Sequence, residues 1–427
     1  MTTEEQTFDE LIDSWVYGAV NRGVTTFNSL LASLPGVYPS VAFESLKRLS
    51  AAGKFNAQGF VITPEAQGPN GGGREQSSNR RHRITLPIPH PLDYDWRFGE
   101  SAVSYLLDTC LPLTRPGEMI ALLGTPSVLR TAIESSYPRG TILLDVNASV
   151  VNCLSQAAPD AEVLLCDVVR DPLPNINASA VIVDPPWYEE HLAGFVWAAS
   201  NLCRVGGHVL VSTPPVGTRP GIDRDRKGLL DWARQLGLIL LRTEAAILPY
   251  CSPPFEINAL KAEGLCGILE DWRRGDLSIF VKDIQVTLPR PAIPTASEEK
   301  WVEESLHGVR VRVRPSESSD FNDPKLLTVV GGNILPSASR RDYRRALVDV
   351  WTSGNRVFAS QGRNILIHIL RALAIGNSPV ETVAQHVERE LSVDEQTLVG
   401  NAVIRMTEII NMERSENSLI GESCIDA

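Results

Sequence analysis

Between residues 118 and 281, short apolar runs alternate with helical stretches, and most runs stop on a small or acidic residue. Glu118 to Gly124 predicts a first strand and its turn, Thr141 to Asp145 a second, Ala161 to Asp167 a third and Ala180 to Val183 a fourth. Runs this short, recurring every twenty residues or so (roughly 20 per unit), have the spacing of βα units in a parallel sheet. His208 to Thr213 follows the Gly206-Gly207 turn as a fifth strand, and Asp225 to Leu236 has the period of a crossover helix. Leu238 to Leu248 and Asp276 to Val281 supply two more strands. The ligand crevice of such a sheet lies at the strands' carboxyl ends, so Gly124, Asp145, Asp167 and Asp184 are expected on one edge.

The flanking regions follow other patterns. Phe8 to Val20 has apolar residues at helical spacing, Thr25-Thr26 can cap a second helix, and Pro39-Ser40 opens a third over Val41 to Ala52. Lys54 to Ile62 then has a turn between two apolar pieces, as a wing would, which predicts a winged-helix-like domain over residues 1–63. Its acids (Glu4, Glu5, Asp9, Glu10, Asp13, Glu44) outweigh its bases (Arg22, Lys47, Arg48, Lys54), which favours protein contact over DNA reading. Residues 64–83 are polar and glycine-rich and read as a flexible linker. After Pro289-Arg290-Pro291, strands are expected over Val309–Val313 and Leu326–Val330, and helices over Arg341–Trp351, Arg363–Ala374, Val380–Leu391 and Asp394–Met412. This predicts a mainly helical accessory domain over 291–427 that selects substrate or dimerises, with the terminal domains as the surfaces for a homodimer.

Composition narrows the class. A chain of 427 residues exceeds one ordinary core, and 43% hydrophobic with 21% charged residues is globular. No apolar run approaches the roughly 18 residues of a membrane span, and the acidic start lacks the apolar core of a secretory signal. Seven cysteines without a C-x-x-C pair predict reduced thiols, a cytoplasmic location and no metal site. The net charge of −11 weighs against extended non-specific contact with nucleic acid, although Arg80-Arg81-His82-Arg83 and Arg340, Arg341, Arg344 and Arg345 are local basic clusters.

The segment that most resembles a reaction centre is Asp184-Pro185-Pro186-Trp187, at the end of the fourth strand. A carboxylate and a proline carbonyl can each accept one N–H of an amino group, drawing its lone pair out of ring conjugation, while an aromatic stacks on the ring. Asp184, Pro185 and Trp187 are therefore the catalytic candidates, with Pro186 and Tyr188 beside the acceptor. The aromatic and charged segment Pro89 to Phe98 adds Asp95, Trp96 and Arg97 as further site candidates, Trp96 and Arg97 toward the substrate, and the loop Tyr250 to Glu256 adds Tyr250 and Phe255 as a wall of the acceptor pocket.

The predicted seven-stranded, Rossmann-like sheet, over residues 84–290, resembles that of class I S-adenosylmethionine-dependent methyltransferases. The resemblance implies that Gly124 and Thr125 approach the methionine part of the cofactor S-adenosylmethionine. It further implies that Asp145 binds the ribose, and that Asp167 with Val168 meets the adenine. The family's glycine-rich turn is reduced here to Leu123-Gly124-Thr125-Pro126-Ser127. The Asp-Pro-Pro-Trp quartet resembles the N6-adenine methyltransferases. The wider layout, with Asp167 to Pro174 before Asp-Pro-Pro, is similar to the branched-chain polyamine synthases. The first resemblance implies methyl transfer to an amino group of a nucleobase, in nucleic acid or a nucleotide; the second implies aminopropyl transfer to a polyamine. A methyltransferase fold that binds without turnover is the third reading.

Overall fold

A computed structural model of the chain describes residues 7–55, 83–292, 300–318, 320–337, 339 and 342–419. The N-terminal part is three helices, α1 (Phe8–Asn21), α2 (Phe27–Ser33) and α3 (Pro39–Ala51). Thr7 closes a capping box on α1 with Glu10, and Thr26 caps α2 by accepting from the Ser29 N–H at 3.1 Å. The expected wing lies almost wholly outside the described residues, as does nearly all of the expected linker. The three helices do not stand apart from the sheet-bearing central region, since Ile12, Leu30 and Leu46 share a core with Leu260, Leu265 and Trp272.

The central sheet is built from β1 (Arg97–Phe98), β2 (Met119–Leu123), β3 (Gly140–Asp145), β4 (Glu162–Leu165), β5 (Ala178–Val183), β6 (Cys203–Thr213), β7 (Leu238–Cys251) and β8 (Arg274–Lys282). Its order is β1-β7-β8-β6-β5-β2-β3-β4. From β4 to β6 all neighbours are parallel, whereas β8 runs antiparallel to both β6 and β7. The expected count of seven becomes eight because Arg97 and Phe98 pair with Cys251 and Tyr250 at the edge, a two-residue pairing with no sequence period of its own. Crossovers are made by α4 (Glu100–Cys110), which leads in, α5 (Pro126–Glu134), α6 (Ala148–Ala157), α7 (Glu189–Leu202) and α8 (Ile222–Gln235), with α9 (Pro254–Ala262) after β7. Every residue of β5 is buried, as expected for a strand covered on both faces.

The C-terminal region adds a sheet to the expected helices. Strands β9 (Val302–Leu306), β10 (Val309–Val313), β11 (Leu327–Thr328), β12 (Val350–Thr352) and β13 (Val357–Ala359) form an antiparallel sheet of order β11-β13-β12-β10-β9. Helices α10 (Arg363–Ile375), α11 (Pro379–His386) and α12 (Val393–Leu419) complete it. The helix expected over Arg341–Trp351 is instead a short 3-10 turn at Tyr343–Leu347 followed by β12. Val350, Trp351 and Thr352 gain more as a buried rung beside β10 and β13 than as a helix, because their β-branched and aromatic side chains suit a pleated surface. No helix among the described residues is long and apolar enough to cross a membrane.

Candidate functional site

The carboxyl ends of β2, β3, β4 and β5 open into a cavity of about 1080 Å³, roofed on its far side by residues of the C-terminal region. Gly124, Asp145, Asp167, Val168, Asp184, Pro186 and Trp96 border it, so the parallel topology does bring the four strand-end positions together. Gly124 has φ +65°, and a Cβ there would lie 3.2 Å from the Asp184 carbonyl oxygen and 3.5 Å from Phe195. Only glycine lets the β2 turn pass so close to β5 without strain.

Asp145 is nearly buried, and its Oδ1 accepts from the Asn147 N–H at 2.8 Å. Burial pushes its pKa up to about 7, the N–H opposes that, and the nearby Asp95 adds to it. Asp167 is held by its own loop: Oδ1 accepts from the Val169 N–H at 3.0 Å and Oδ2 from Arg170 at 3.0 Å.

Asp184 is the most constrained acid. Its Oδ1 accepts from the Tyr250 hydroxyl at 2.5 Å, and Ser212 Oγ lies 2.5 Å from that same hydroxyl. Burial raises the Tyr250 pKa well above the phenol range, so Tyr250 keeps its proton and donates to Asp184, and Ser212 then donates to Tyr250. Burial also pushes Asp184 up to about 7, while the Tyr250 hydrogen bond and the Arg273 charge pull the other way. A carboxyl poised there can hold or take a proton near neutrality.

Several expected site residues lie elsewhere. Trp187 does not border the cavity: it is 8% exposed, its ring meets Tyr250 edge-on at 5.7 Å, and the Arg273 guanidinium sits 4.3 Å from its centroid. A large ring next to a strand end is stabilised more by packing on Gly275 and Tyr250 than by waiting in solvent. Tyr250 and Phe255 are likewise core residues, Phe255 packing 6.0 Å from Trp96. Arg97 is 3% exposed and spent on Asp95 and the Pro87 carbonyl, at 2.7 and 2.6 Å. Thr125 and Pro185 are buried, and Tyr188 stands behind the wall, its ring edge-on to Tyr94 at 6.1 Å. Trp96 is the indole that does border the cavity, backed by Arg273 at 4.1 Å. Unanticipated are Tyr94, His191 and Phe195, and from the C-terminal region Lys300, Trp301 and Tyr343, whereas Arg345 belongs to a basic cluster already visible in the sequence. The density of aromatics in residues 90–98 was the one signal pointing toward Tyr94.

Seven acids border the cavity, and most are already neutralised within the chain. Asp93 bridges Arg310 at 2.6 Å and also Arg312, and Glu303 bridges the same two arginines at 2.8 and 2.6 Å. Asp95 pairs with Arg97, Asp167 with Arg170 and Asp342 with Arg344. Of these seven, only Asp145 and Asp184 have no cation within ion-pair distance among the described residues.

No family model and no curated protein matches the sequence. Solved structures do match. A mutein of the branched-chain polyamine synthase from Thermus thermophilus, in complex with N4-aminopropylspermidine and 5'-methylthioadenosine, aligns over 65% of this chain and 89% of its own, at 14% identity and a TM-score of 0.50. The unmodified synthase aligns over the same shares at 14% identity and a TM-score of 0.48. A TehB-like S-adenosylmethionine-dependent methyltransferase from Corynebacterium glutamicum aligns over 43% of this chain and 88% of its own, at 12% identity and a TM-score of 0.31. At such identities the first match shows a shared Rossmann-like fold.

Proposed function

We propose that this chain is an S-adenosylmethionine-dependent N-methyltransferase acting on an amino group of a planar base, in a nucleotide or nucleic acid. The residues fit the donor. Gly124 leaves the first turn bare of side chain, Asp145 borders the cavity where it would take a ribose diol, and Val168 with Asp167 lines the far strand end. When bound, the donor supplies an electrophilic methyl group for in-line displacement by the acceptor nitrogen. Asp184 accepts one N–H of the acceptor, orients its lone pair, and takes the proton that the nitrogen sheds.

The observation that carries the reading is the charge state of the cavity. A polyamine brings several ammonium groups and needs several uncommitted acids, but five of the seven here are bound to arginines. What is left is one acid at the position suited to the ribose and one for the amine. The buried Trp187 removes the stacking platform expected from the sequence, and Trp96 and Tyr94 take that place. Calorimetry with S-adenosylmethionine, its decarboxylated form and the product thioether tests the reading. The intact donor should bind more tightly than the decarboxylated one, and Asp145→Ala should weaken it by about 10- to 100-fold. A chain that binds neither donor is not a transferase.

A second reading, aminopropyl transfer to a polyamine, is favoured by the match to the Thermus synthase over 89% of that chain. Preference for the decarboxylated donor would promote it. Binding without turnover remains the outcome if donor binds and no acceptor is modified.

A further inference from the structure

We propose that the rim added by the C-terminal region, Tyr343, Arg345 and Lys300 together with Tyr94, is a clamp for an acceptor that carries a phosphate beside its amino-bearing ring. The inference rests on the transfer reading above and names its acceptor class.

Tyr94 has φ +55°, a conformation in which a bulky side chain is uncommon and strained. Its neighbours hold it there. His90 Nε2 lies 3.1 Å from the Trp351 carbonyl oxygen, and Asp93 is fixed by the buried Arg310. The strained residue thus presents its ring to the cavity from a frame that spans both sheets.

Tyr343 lines the same cavity yet is 82% exposed, so its aromatic surface is held in solvent at the rim. Arg345 lies over the Trp351 ring at 4.7 Å and reaches within 6.0 Å of the Tyr94 centroid. Its fixed positive charge thus stands at the rim between two aromatic rings. Lys300 lines the cavity with no acid in ion-pair range among the described residues. Tyrosines that can take a base by its face, beside a lysine that can take phosphate oxygens and the positive field of an arginine, form a mixed stacking and anion site. A chain of net charge −11 is poorly suited to a long polyanion, so one or a few phosphates is the favoured load.

The test is calorimetry on the full chain saturated with the product thioether, which keeps adenine probes out of the donor pocket. Adenosine, cytidine, their 5'-monophosphates, a six-residue adenylate RNA and spermidine are titrated in turn. At least one monophosphate should bind about tenfold more tightly than its nucleoside. Lys300→Glu should erase that difference, and Tyr343→Ala should weaken nucleoside and nucleotide alike. Both side chains are exposed, so the variants should fold and keep wild-type affinity for S-adenosylmethionine. Tighter binding of the RNA than of the monophosphate, lost in the same variants, supports the clamp and assigns the polymer as its source. Normal donor affinity with equal binding of nucleosides and monophosphates overturns the clamp alone. Failure to bind any donor overturns the transfer reading instead. Spermidine binding without nucleotide binding overturns both the clamp and the base acceptor.

Discussion

Asp93 and Glu303 border the same cavity as Asp145 and Asp184, yet the two pairs are held in opposite ways. Asp93 and Glu303 sit where the central and C-terminal sheets meet, each bridged to Arg310 and Arg312. Burial works against the charge on Glu303, but those arginines outweigh it and keep its pKa below the usual range. Asp145 and Asp184, at the ends of β3 and β5, have neighbouring hydrogen-bond donors but no bridging cation, and burial pushes both up to about 7. The first pair favours the folded state. The second costs stability at neutral pH, a cost expected of groups kept for chemistry rather than for architecture.

The contrast is broken most sharply at Asp184. Asp184→Asn keeps the shape but removes the proton acceptor, so the transfer rate should fall about 10²- to 10⁴-fold while donor affinity stays near wild type. Single-turnover rates and donor calorimetry on the same sample check this. Loss of donor binding in step with activity would make Asp184 a donor-site residue instead.

Removing a paired acid should do the reverse. Asp93→Ala leaves Arg310, 3% exposed, with half of its counter-charge gone, and frees a buried carbonyl-lined site of its anion. Destabilisation of about 3–5 kcal/mol is expected, read as a drop in denaturant midpoint. An unchanged midpoint would mean that the junction contributes little to folding.

For stability, the sign at Asp184 is opposite. Its folded pKa of about 7 lies above the unfolded value near 3.9, so between those limits the folded state holds a proton that the unfolded state has lost. Stability from this group is therefore fully present below about pH 4 and declines as pH rises toward about 7. Asp184→Asn should be more stable than wild type at pH 8, by on the order of 2–4 kcal/mol, and the difference should shrink toward pH 4. Thermal melts across that range decide it, and a variant less stable at pH 8 would place Asp184 among the structural acids.

The sequence could reveal one of these two regions better than the other. Strands β2, β3 and β5 are short apolar runs that stop at Gly124, Asp145 and Asp184, so the parallel sheet and the convergence of these three follow from local pattern. The pairing of Asp93 with Arg310, 217 residues away, has no local signal at all. Direction of side chains was equally hidden: nothing in Asp-Pro-Pro-Trp says that Trp187 turns into the core while Trp96 faces the cavity. In the C-terminal region the alternation around Val350-Trp351-Thr352 and Val357-Phe358, joined through Ser353-Gly354-Asn355, is a hairpin pattern. The neighbouring arginines and alanine at 344–346 masked it with a helical composition.

The smallest expected effect concerns Tyr250, which ties the unpaired acid to the core. Its hydroxyl donates to Asp184 and so favours the charged carboxylate, opposing burial. If the carboxylate is the active form, the rate should rise with pH through about 7 and then level. Tyr250→Phe removes the donor without emptying the space, leaving the ring contacts with Phe98 and Trp187 in place. One hydrogen bond to a charged group is worth about 1.5–3 kcal/mol, and Ser212, now without its phenol partner, can turn to Asp184 and restore part of it. The midpoint of the pH–rate profile should move to higher pH by about one unit, with the plateau rate at high pH largely retained. A loss of rate independent of pH would instead show that Tyr250 orients the carboxylate rather than setting its ionisation. A shift to lower pH would reverse the assigned direction of the hydrogen bond.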